Sequence, residues 1–471
     1  MTQAWSIQGR RTRRRRLFAG AALALILAVG GVAAVMATMP GGSTGQAGGA
    51  PPAAPALPAG GPGASPALSV PAGAPLPGSS AAPTPAIVLP AGLPVDAATA
   101  ATLQRALEAA RKSMVIPGVE ATVILADGRT WTGVSGDAVV ATKTAMKTKV
   151  TPETPFAIAS VTKTFTAALI LRLAEEGRLS INDPLSRWLP DYPNAARITL
   201  RMLLQHTSGL ADFFQNPKFD AALNRAKLRV WTPDEVLPFV GKPAFAPGKG
   251  WGYSNTNYVL LGLVAERAGG APWAEQVRSD FFVPLGLTST YVQGVGTSSL
   301  APAHANQMFV GFAGRILPKD LSDGSTIAPF TAVTSAAFSA GSIASTTSDL
   351  ARWARALYDG DVLTPASLAQ MLTFDPEIVR YAALAYGLGV SRVKIDGRFI
   401  AVGHTGALAG TRAAIRWLPK QQVSVAVTFN RDLFTGDDVI RYLVAALYPP
   451  AKPSPSPGTS VRPSPAPSSL P

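Results

Sequence analysis

The alternation of apolar and polar residues predicts strands at both ends of a folded region and helices between them. A helical pattern covers 97–114, and two strand patterns follow at 119–126 and 130–135. The dipeptide Asp127-Gly128, typical of a tight hairpin turn, separates these two strands. After helical segments that reach to about 375, strand patterns return at 387–394, 399–403, 411–417 and 422–429. This order predicts an α/β fold in which the two ends of the region close one sheet around an inserted helical region.

One helical pattern covers 164–176 and directly follows the apolar run 156–159. Ser160 is therefore expected at or near a helix N-terminus, with Lys163 one turn later on the same face. A serine hydroxyl is a weak nucleophile until a base removes its proton, and a lysine amine is a base only when neutral. Burial and the positive end of the helix both disfavour the ammonium form. The pair is a candidate nucleophile and base, although serine is also a common helix N-cap.

Tyr253-Ser254-Asn255 follows the turn 247–250 and precedes a helix predicted to begin near Asn257. A tyrosine in such a loop can accept the serine proton as phenolate and return it to a leaving group. The alternative interpretation is an ordinary packed tyrosine. Tyr253 is therefore a candidate for proton transfer.

Two further stretches begin with a histidine and a threonine. His404-Thr405-Gly406 lies at the end of a predicted strand, where a threonine hydroxyl can bind a substrate carboxylate and a glycine lets an extended substrate approach. The stretch 206–210 closes the helix that starts at Thr199. Because the chain has no Gly-x-Ser-x-Gly elbow, we interpret this stretch as a helix-ending turn in which His206 packs, and not Ser208 as a second nucleophile.

The three motifs occur in the order Ser160-Val161-Thr162-Lys163, Tyr253-Ser254-Asn255 and His404-Thr405-Gly406. In this the chain resembles the penicillin-recognising serine hydrolases, whose motifs are Ser-x-x-Lys, Tyr-x-Asn and Lys- or His-Thr-Gly. The resemblance covers nearly all of 96–450. The connecting stretches are similar to those of the class C β-lactamase-like group, which includes D-alanyl-D-alanine carboxypeptidases: 179–185, 203–210 and 340–346.

The resemblance implies a fold and a set of roles. The expected fold is an α/β domain, with an antiparallel sheet flanked by helices, beside an inserted all-α domain, with the active site between them. Ser160 is expected to be the acylated nucleophile, Lys163 its activating partner and Tyr253 the general base and acid. The backbone N–H groups of Ser160 and Ala407 would form the oxyanion hole. Substrate contacts are expected from Asn255, His404, Thr405, Gly406 and Ala407.

His404 stands where β-lactamases usually carry a lysine, so a fixed positive charge is missing and a β-lactamase assignment is weakened. An unperturbed histidine has a pKa near 6.5 and is charged only at mildly acidic pH. We therefore predict that the KM for a carboxylate-bearing substrate rises between about pH 6 and pH 8, as His404 loses its proton.

Composition excludes several classes of function. Of the formal charge of +14, six charges are arginines within 10–16 and two are Lys452 and Arg462, which leaves +6 for 96–450. With no run of basic residues in that region, nucleic-acid binding is not expected. The chain has no cysteine, which excludes disulfides and thiolate chemistry. The three histidines include no His-x-x-x-His pair, so the sequence does not indicate a zinc site, and no metal or cofactor is expected.

Both ends of the chain differ from the folded region. Segment 1–16 is basic, and 17–39 is uncharged and long enough as a helix, about 34 Å, to cross a bilayer core of about 30 Å. The arginines predict a cytoplasmic N-terminus and a single-pass anchor, with a secreted product cleaved after Ala37 as the alternative. Segments 40–95 and 451–471 are Pro-rich and read as a disordered linker and tail.

Together these features predict a membrane-tethered, extracytoplasmic serine hydrolase that forms an acyl-enzyme. The expected activity is that of a D-alanyl-D-alanine carboxypeptidase on cell-wall peptides. An esterase, β-lactamase or D-aminopeptidase on the same scaffold is an alternative, and a non-catalytic cell-wall-binding module is another. The expected partners are a small peptide, ester or β-lactam substrate and the membrane through 17–39; the oligomeric state stays open.

Overall fold

The computed structural model describes most of the predicted folded region, namely residues 92–141, 146–294, 306–310, 316–320, 331–375 and 385–450. The predicted basic segment 1–16, the apolar segment 17–39 and the tail 451–471 lie outside these ranges, as does most of the linker. Within the described ranges, no helix combines the length and the apolar character that a membrane crossing requires.

The strands, in chain order, are β1 (Gly118–Ile124), β2 (Thr130–Val139), β3 (Thr148–Lys149), β4 (Phe156–Ala157), β5 (Tyr291–Val292), β6 (Asn306–Val310), β7 (Ile316–Asp320), β8 (Ile343–Ser345), β9 (Ala385–Tyr386), β10 (Ser391–Ile395), β11 (Phe399–Leu408), β12 (Thr411–Leu418) and β13 (Val423–Phe429). The main sheet has the order β3-β2-β1-β13-β12-β11-β10-β9, and its pairs are antiparallel. Val119 of β1 lies opposite Phe429 of β13, so the two ends of the region close one sheet, as predicted.

The α-helices, in chain order, are α1 (Ala97–Ser113), α2 (Thr162–Glu175), α3 (Leu200–Leu204), α4 (Pro217–Arg225), α5 (Pro233–Val236), α6 (Asn255–Gly269), α7 (Trp273–Val277), α8 (Thr331–Ala337), α9 (Thr347–Asp359), α10 (Pro365–Met371) and α11 (Gly436–Leu447). The helices from α2 to α8 lie between β4 and β8 in the chain and supply the predicted inserted helical region. This region is not all-α as predicted, because β5 pairs with β8, and β6 pairs with β7.

The two faces of the main sheet pack against different helices. Alternate residues of β1, such as Val119 and Ala121, form a core with Leu107 of α1 and Leu443 of α11. The opposite face packs against α9 and, through β11 and β12, against a larger core that contains Phe165 of α2. Because side chains alternate along a strand, the same strands line both cores.

The structure corrects three predicted strand limits. The strand predicted at 130–135 continues to Val139, because it pairs there with β3. The strand predicted at 399–403 continues to Leu408, because its pairing with β12 runs on to the hairpin turn after Leu408. His404-Thr405-Gly406 therefore lies inside a strand and not at its end. The strand predicted from 387 begins only at Ser391, because Gly389 has a φ of +73° and residues 387–390 form a turn.

The fold also includes residues that were assigned to the linker. Thr130 donates its backbone N–H to the carbonyl of Leu93, at 2.8 Å, and accepts a bond from the N–H of Val95, at 3.2 Å. Asp96 then caps α1, because its side chain accepts from the backbone N–H of Thr99. Ordered contacts thus begin a few residues before 96.

Candidate active site

Ser160 lies on a short 3₁₀ turn (Ala159–Val161) that leads directly into α2, whose first ten residues are all buried. Ala159 has a φ of +47°, a left-handed conformation that is unusual for a residue with a Cβ. Gly406 of β11 packs against this turn, because a Cβ built on it would lie 2.0 Å from the carbonyl oxygen of Ile158. The glycine was predicted to let a substrate approach; in the structure it lets the nucleophile turn approach the strand.

Lys163 is fully buried, and its Nζ contacts three oxygen atoms. It lies 3.1 Å from Ser160 Oγ, 2.7 Å from Asn255 Oδ1 and 2.8 Å from the carbonyl oxygen of Ala340. Burial lowers the pKa of Lys163 to about 7, and the carboxylate of Asp212 partly opposes this decrease. Near neutral pH the lysine can therefore exist as the free amine that a base must be.

Asn255, the first residue of α6, links Lys163 to an acidic residue. Its Nδ2 donates to Asp212 Oδ2 at 2.8 Å, while its Oδ1 accepts from Lys163. An amide nitrogen carries two hydrogens, so one remains for a substrate carbonyl. The predicted substrate contact of Asn255 stays a prediction.

Tyr253 lies above the lysine, with Lys163 Nζ 5.0 Å from the centre of its ring. Burial raises the pKa of Tyr253 above its ordinary value, and a hydrogen bond with Ser160 lowers it in part. The phenolate is therefore disfavoured, and above about pH 7 the favoured arrangement is a neutral tyrosine beside a neutral Lys163. In this arrangement Lys163 can accept a proton and Tyr253 can donate one. The predicted phenolate form of Tyr253 is disfavoured, because burial raises its pKa.

His206 packs behind Tyr253, as predicted for a helix-ending turn. Their ring centres are 4.4 Å apart, and His206 Nδ1 lies 3.3 Å from the N–H of Ser254 and 2.9 Å from Asn257 Nδ2. Burial lowers the pKa of His206 well below its ordinary value. Ser208 Oγ donates to Asn257 Oδ1 at 2.6 Å, so this serine serves the same packing and is not placed as a nucleophile.

His404 is buried, and both of its ring nitrogens have partners. Nδ1 lies 2.6 Å from the carbonyl oxygen of Thr405, which can only accept, so Nδ1 carries the proton. Nε2 then accepts from the hydroxyl of Tyr386 at 2.9 Å. Burial, with Lys163 nearby, lowers the pKa of His404 to about 3. The predicted charging of His404 at mildly acidic pH is therefore wrong, because the burial of the ring disfavours the imidazolium.

Thr405 and Ala407 are partly exposed on β11, where the neighbouring strand stops. The pairing of β10 ends with Ser391 opposite Gly403, so among the described strands the edge from 404 to 408 lacks a neighbour on that side. Because Thr405 and Ala407 are two residues apart, their backbone groups face the same edge. This position suits the predicted roles in carboxylate binding and the oxyanion hole, which stay predictions.

A cavity of about 650 Å³ opens beside Tyr253. Its lining residues are Leu210, Ala211, Asp212, Gln215, Asn216, Pro217, Gly241, Ala244, Phe245, Trp251, Gly252 and Tyr253. Asp212 is the one acidic side chain among them, and aromatic rings form part of the wall. Neither here nor elsewhere in the described ranges is a cluster of three or more His, Cys, Asp or Glu side chains arranged to hold a metal ion.

Sequence reasoning missed two members of the site, Asp212 and Tyr386. Asp212 accepts from the backbone N–H of Phe214 at 3.1 Å, so its local signature is that of an ordinary helix cap. Tyr386 comes from the short strand β9 and reaches His404 across the sheet. An acidic residue three positions after Gly209 was the one available signal for Asp212.

Comparisons with known proteins give the family of the chain. A family model described as Beta-lactamase matches residues 103–448. "Penicillin-binding protein 4*" of Bacillus subtilis (strain 168) is 31% identical over 267 residues, which cover 54% of this chain and 56% of that protein. The "Putative penicillin-binding protein PbpX" of the same organism is 28% identical, over 47% of this chain and 51% of that protein. The chain thus spans about half the length of these curated relatives.

Two solved structures are similar over more of their length. A D-stereospecific amidohydrolase from Streptomyces sp. superposes with a TM-score of 0.61 at 30% identity, covering 75% of this chain and 99% of that chain. A D-amino acid amidase from Ochrobactrum anthropi SV3, complexed with D-phenylalanine, superposes with a TM-score of 0.63 at 25% identity, covering 74% and 99%.

Proposed function

The chain belongs to the beta-lactamase family, a family of serine hydrolases, and from this premise we propose that it is a D-alanyl-D-alanine carboxypeptidase acting through an acyl-enzyme on Ser160. The observation that carries the proposal is the contact of Lys163 Nζ with Ser160 Oγ, at 3.1 Å in a buried site. Burial lowers the pKa of Lys163 to about 7, so a base and a nucleophile meet at neutral pH.

In the proposed reaction, neutral Lys163 takes the hydroxyl proton as Ser160 Oγ bonds to the substrate carbonyl carbon. The backbone N–H groups of Ser160 and Ala407 stabilise the resulting oxyanion. Tyr253 gives its proton to the leaving amine as the amide C–N bond breaks, and it recovers a proton from Lys163. In the second half of the reaction, Lys163 takes a proton from water as the water oxygen bonds to the ester carbonyl carbon. The ester C–O bond then breaks, and Lys163 returns the proton to Ser160 Oγ, which releases the acid and free Ser160.

Acylation at Ser160 tests this proposal directly. We expect a labelled penicillin or fluorophosphonate to modify Ser160, as shown by mass spectrometry of the digested protein, and Ser160→Ala to abolish the labelling. Ser208→Ala is the matched control and should keep it, because Ser208 bonds to Asn257 and not to Lys163. Labelling that persists in Ser160→Ala would refute the assigned nucleophile.

A second candidate is hydrolysis of D-amino acid amides. The observation that favours it is the cavity beside Tyr253, which offers the carboxylate of Asp212 and the rings of Phe245 and Trp251. A carboxylate beside aromatic walls suits a substrate with a free ammonium group and an apolar side chain. Two of the solved structures similar to this chain are described as a D-stereospecific amidohydrolase and a D-amino acid amidase.

Product release separates the two candidates. The purified protein is supplied with a diacylated peptide ending in D-Ala-D-Ala and, separately, with D-phenylalanine amide and its L enantiomer. Release of D-alanine from the blocked peptide supports the carboxypeptidase. Release of ammonia from the D amide alone supports the amidase, and labelling of Ser160 without turnover of any substrate would refute both.

We also propose that the enzyme is anchored by 17–39 and acts outside the cytoplasmic membrane. The support is the uncharged run behind six arginines and ahead of a long Pro-rich segment. N-terminal sequencing of the native protein is the test. A mature chain that begins at Thr38 would show a secreted enzyme instead.

A further inference from the structure

Asp212 holds the Asn255 side chain in one of its two possible orientations. A carboxylate only accepts hydrogen bonds, and Asp212 Oδ2 lies 2.8 Å from Asn255 Nδ2. Its other oxygen, Oδ1, is held in place by the N–H of Phe214 at 3.1 Å. If the amide of Asn255 were inverted, its oxygen would face the carboxylate of Asp212. The bond therefore fixes Asn255 Oδ1 toward Lys163.

This orientation decides where the lone pair of neutral Lys163 points. A free amine has two hydrogens and one lone pair, and Nζ has three neighbours within hydrogen-bond distance. Two of them, Asn255 Oδ1 and the carbonyl oxygen of Ala340, can only accept, so they take the two hydrogens. The third position is left for the lone pair, and its neighbour is the Ser160 hydroxyl. With Asn255 inverted, an N–H would compete for the same lone pair.

We infer that Asp212 is a positioning residue for acyl transfer: by orienting the Asn255 amide, it directs the lone pair of Lys163 at the Ser160 hydroxyl. The inference rests on the proposed acyl-enzyme function, which it deepens. Asp212 needs no contact with the reacting atoms to have this effect.

Asp212 is also the acidic group near Lys163. Burial raises the pKa of Asp212, and the N–H of Phe214, the charge of Lys163 and the Asn255 amide lower it in part, which favours the carboxylate. The other titratable groups around the lysine are Tyr253 and Tyr258, whose rings lie 5.0 and 5.4 Å from Nζ, and His206 and His404. Burial disfavours the charged forms of all four. The position of the carboxylate should therefore govern the pH at which acylation begins.

An exchange of the acid and the amide tests the inference. Asp212→Asn offers one acceptor to two donors, the N–H of Phe214 and Asn255 Nδ2, so the Asn255 amide is no longer held in one orientation. Asn255→Asp places two carboxylates against each other. In the double variant, the new asparagine can donate to the new aspartate, whose second oxygen again accepts from Lys163. The exchange restores the orientation and moves the negative charge next to the lysine.

The measurement is the rate at which a neutral fluorophosphonate modifies Ser160. Mass spectrometry monitors this rate at a series of pH values from pH 5 to pH 9. This reagent requires neither a carboxylate contact nor a protonated amine leaving group. We expect each single variant to lose at least about ten-fold in the plateau rate. The double variant should be at least about ten-fold faster than either single variant, with its acid limb moved to higher pH than in the wild type.

The exposed Asp220→Asn is the matched control and should retain the wild-type profile. The inference is overturned if Asp212→Asn keeps the wild-type plateau and acid limb, or if the double variant is no faster than the single ones. If thermal melting shows that Asp212→Asn does not fold, the comparison of Asn255→Asp with the double variant decides in the same way. A wild-type protein that is not labelled at any pH refutes the proposed function itself.

Discussion

Burial sets the charge of the polar residues around Ser160. It lowers the pKa of Lys163 to about 7 and that of His404 to about 3, and it raises the pKa of Tyr253. All three side chains are therefore driven toward their neutral forms at mildly alkaline pH. The site can transfer protons between neutral groups without a permanent cation.

The first prediction concerns His404. Because its Nε2 accepts from Tyr386 and burial disfavours its charged form, His404 should stay neutral throughout the working pH range. We expect the KM values of a carboxylate-bearing substrate and of its matched neutral ester to change in parallel between about pH 6 and pH 8.

NMR titration of the labelled imidazole provides an independent measurement, with no transition of His404 expected above about pH 5. A rise in KM confined to the charged substrate would contradict the prediction and restore a titrating His404. Tyr386→Phe separates the two causes, because it removes the hydroxyl that holds Nε2 and leaves the ring buried. If burial is the larger cause, His404 in this variant should still show no transition above about pH 5.

At the level of single elements, β11 connects the sheet to the nucleophile. Its close approach to the Ser160 turn depends on Gly406, where a Cβ would lie 2.0 Å from a backbone oxygen that cannot swing away. The end of β11 was mispredicted at 403 because the sequence does not show which backbone atoms a glycine will meet. Glycines at 403 and 406 suggest the end of a strand, whereas in the structure both meet backbone atoms of neighbouring segments. Such contacts depend on the tertiary fold and leave no local pattern.

Gly406→Ala should therefore damage both stability and acylation. Overpacking of this kind typically costs about 1–3 kcal/mol, and the shift falls on the turn that holds Ser160. We expect a lower midpoint in denaturant unfolding and slower fluorophosphonate labelling.

Gly397→Ala is the matched control, because Gly397 has a φ of +67° but a Cβ there meets open space. It should lose about 1 kcal/mol at most and keep the labelling rate. Equal labelling rates for the two variants would show that the glycine contact does not position Ser160.

Only those site residues that belong to the three sequence motifs, or follow one directly, could be predicted. Lys163 lies within hydrogen-bond distance of Ser160, as their spacing of one helical turn suggested. The contact of Lys163 with Asn255 was not predicted. Asp212 and Tyr386 could not be found in that way, because each is a single residue whose neighbours indicate a cap or a strand. Their importance arises from three-dimensional contacts with Asn255 and His404.

At the level of the whole molecule, Glu120 links the sheet to α9. Its Oε1 accepts from the hydroxyl of Thr347 at 2.8 Å, and its Oε2 is buried without a hydrogen-bond partner within the described part of the chain. Burial raises the pKa of Glu120 well above its ordinary 4.5. The folded protein therefore binds a proton that the unfolded chain releases, so stability falls as the pH rises above about 4.5 toward the raised pKa.

Glu120→Gln should remove this dependence. We expect the variant to be more stable than the wild type at pH 8, by about 1 kcal/mol, and the advantage to shrink toward pH 5. Urea unfolding at several pH values measures the slope directly. The exposed Glu275→Gln should leave the slope unchanged, and an unaltered slope in Glu120→Gln would show that Glu120 is ionised in the folded protein.

The pairing of β1 with β13 has a consequence for synthesis on the ribosome. Val119 and Phe429 are adjacent in the sheet but about 300 residues apart in the chain. The β1–β2 hairpin leaves the ribosome with an open edge, and its partner strand emerges only near the end of translation. Contacts of such high sequence separation form slowly. The nascent chain must therefore remain protected from aggregation until its last strand arrives, and premature termination before β13 yields a chain that contains every motif residue but an incomplete sheet.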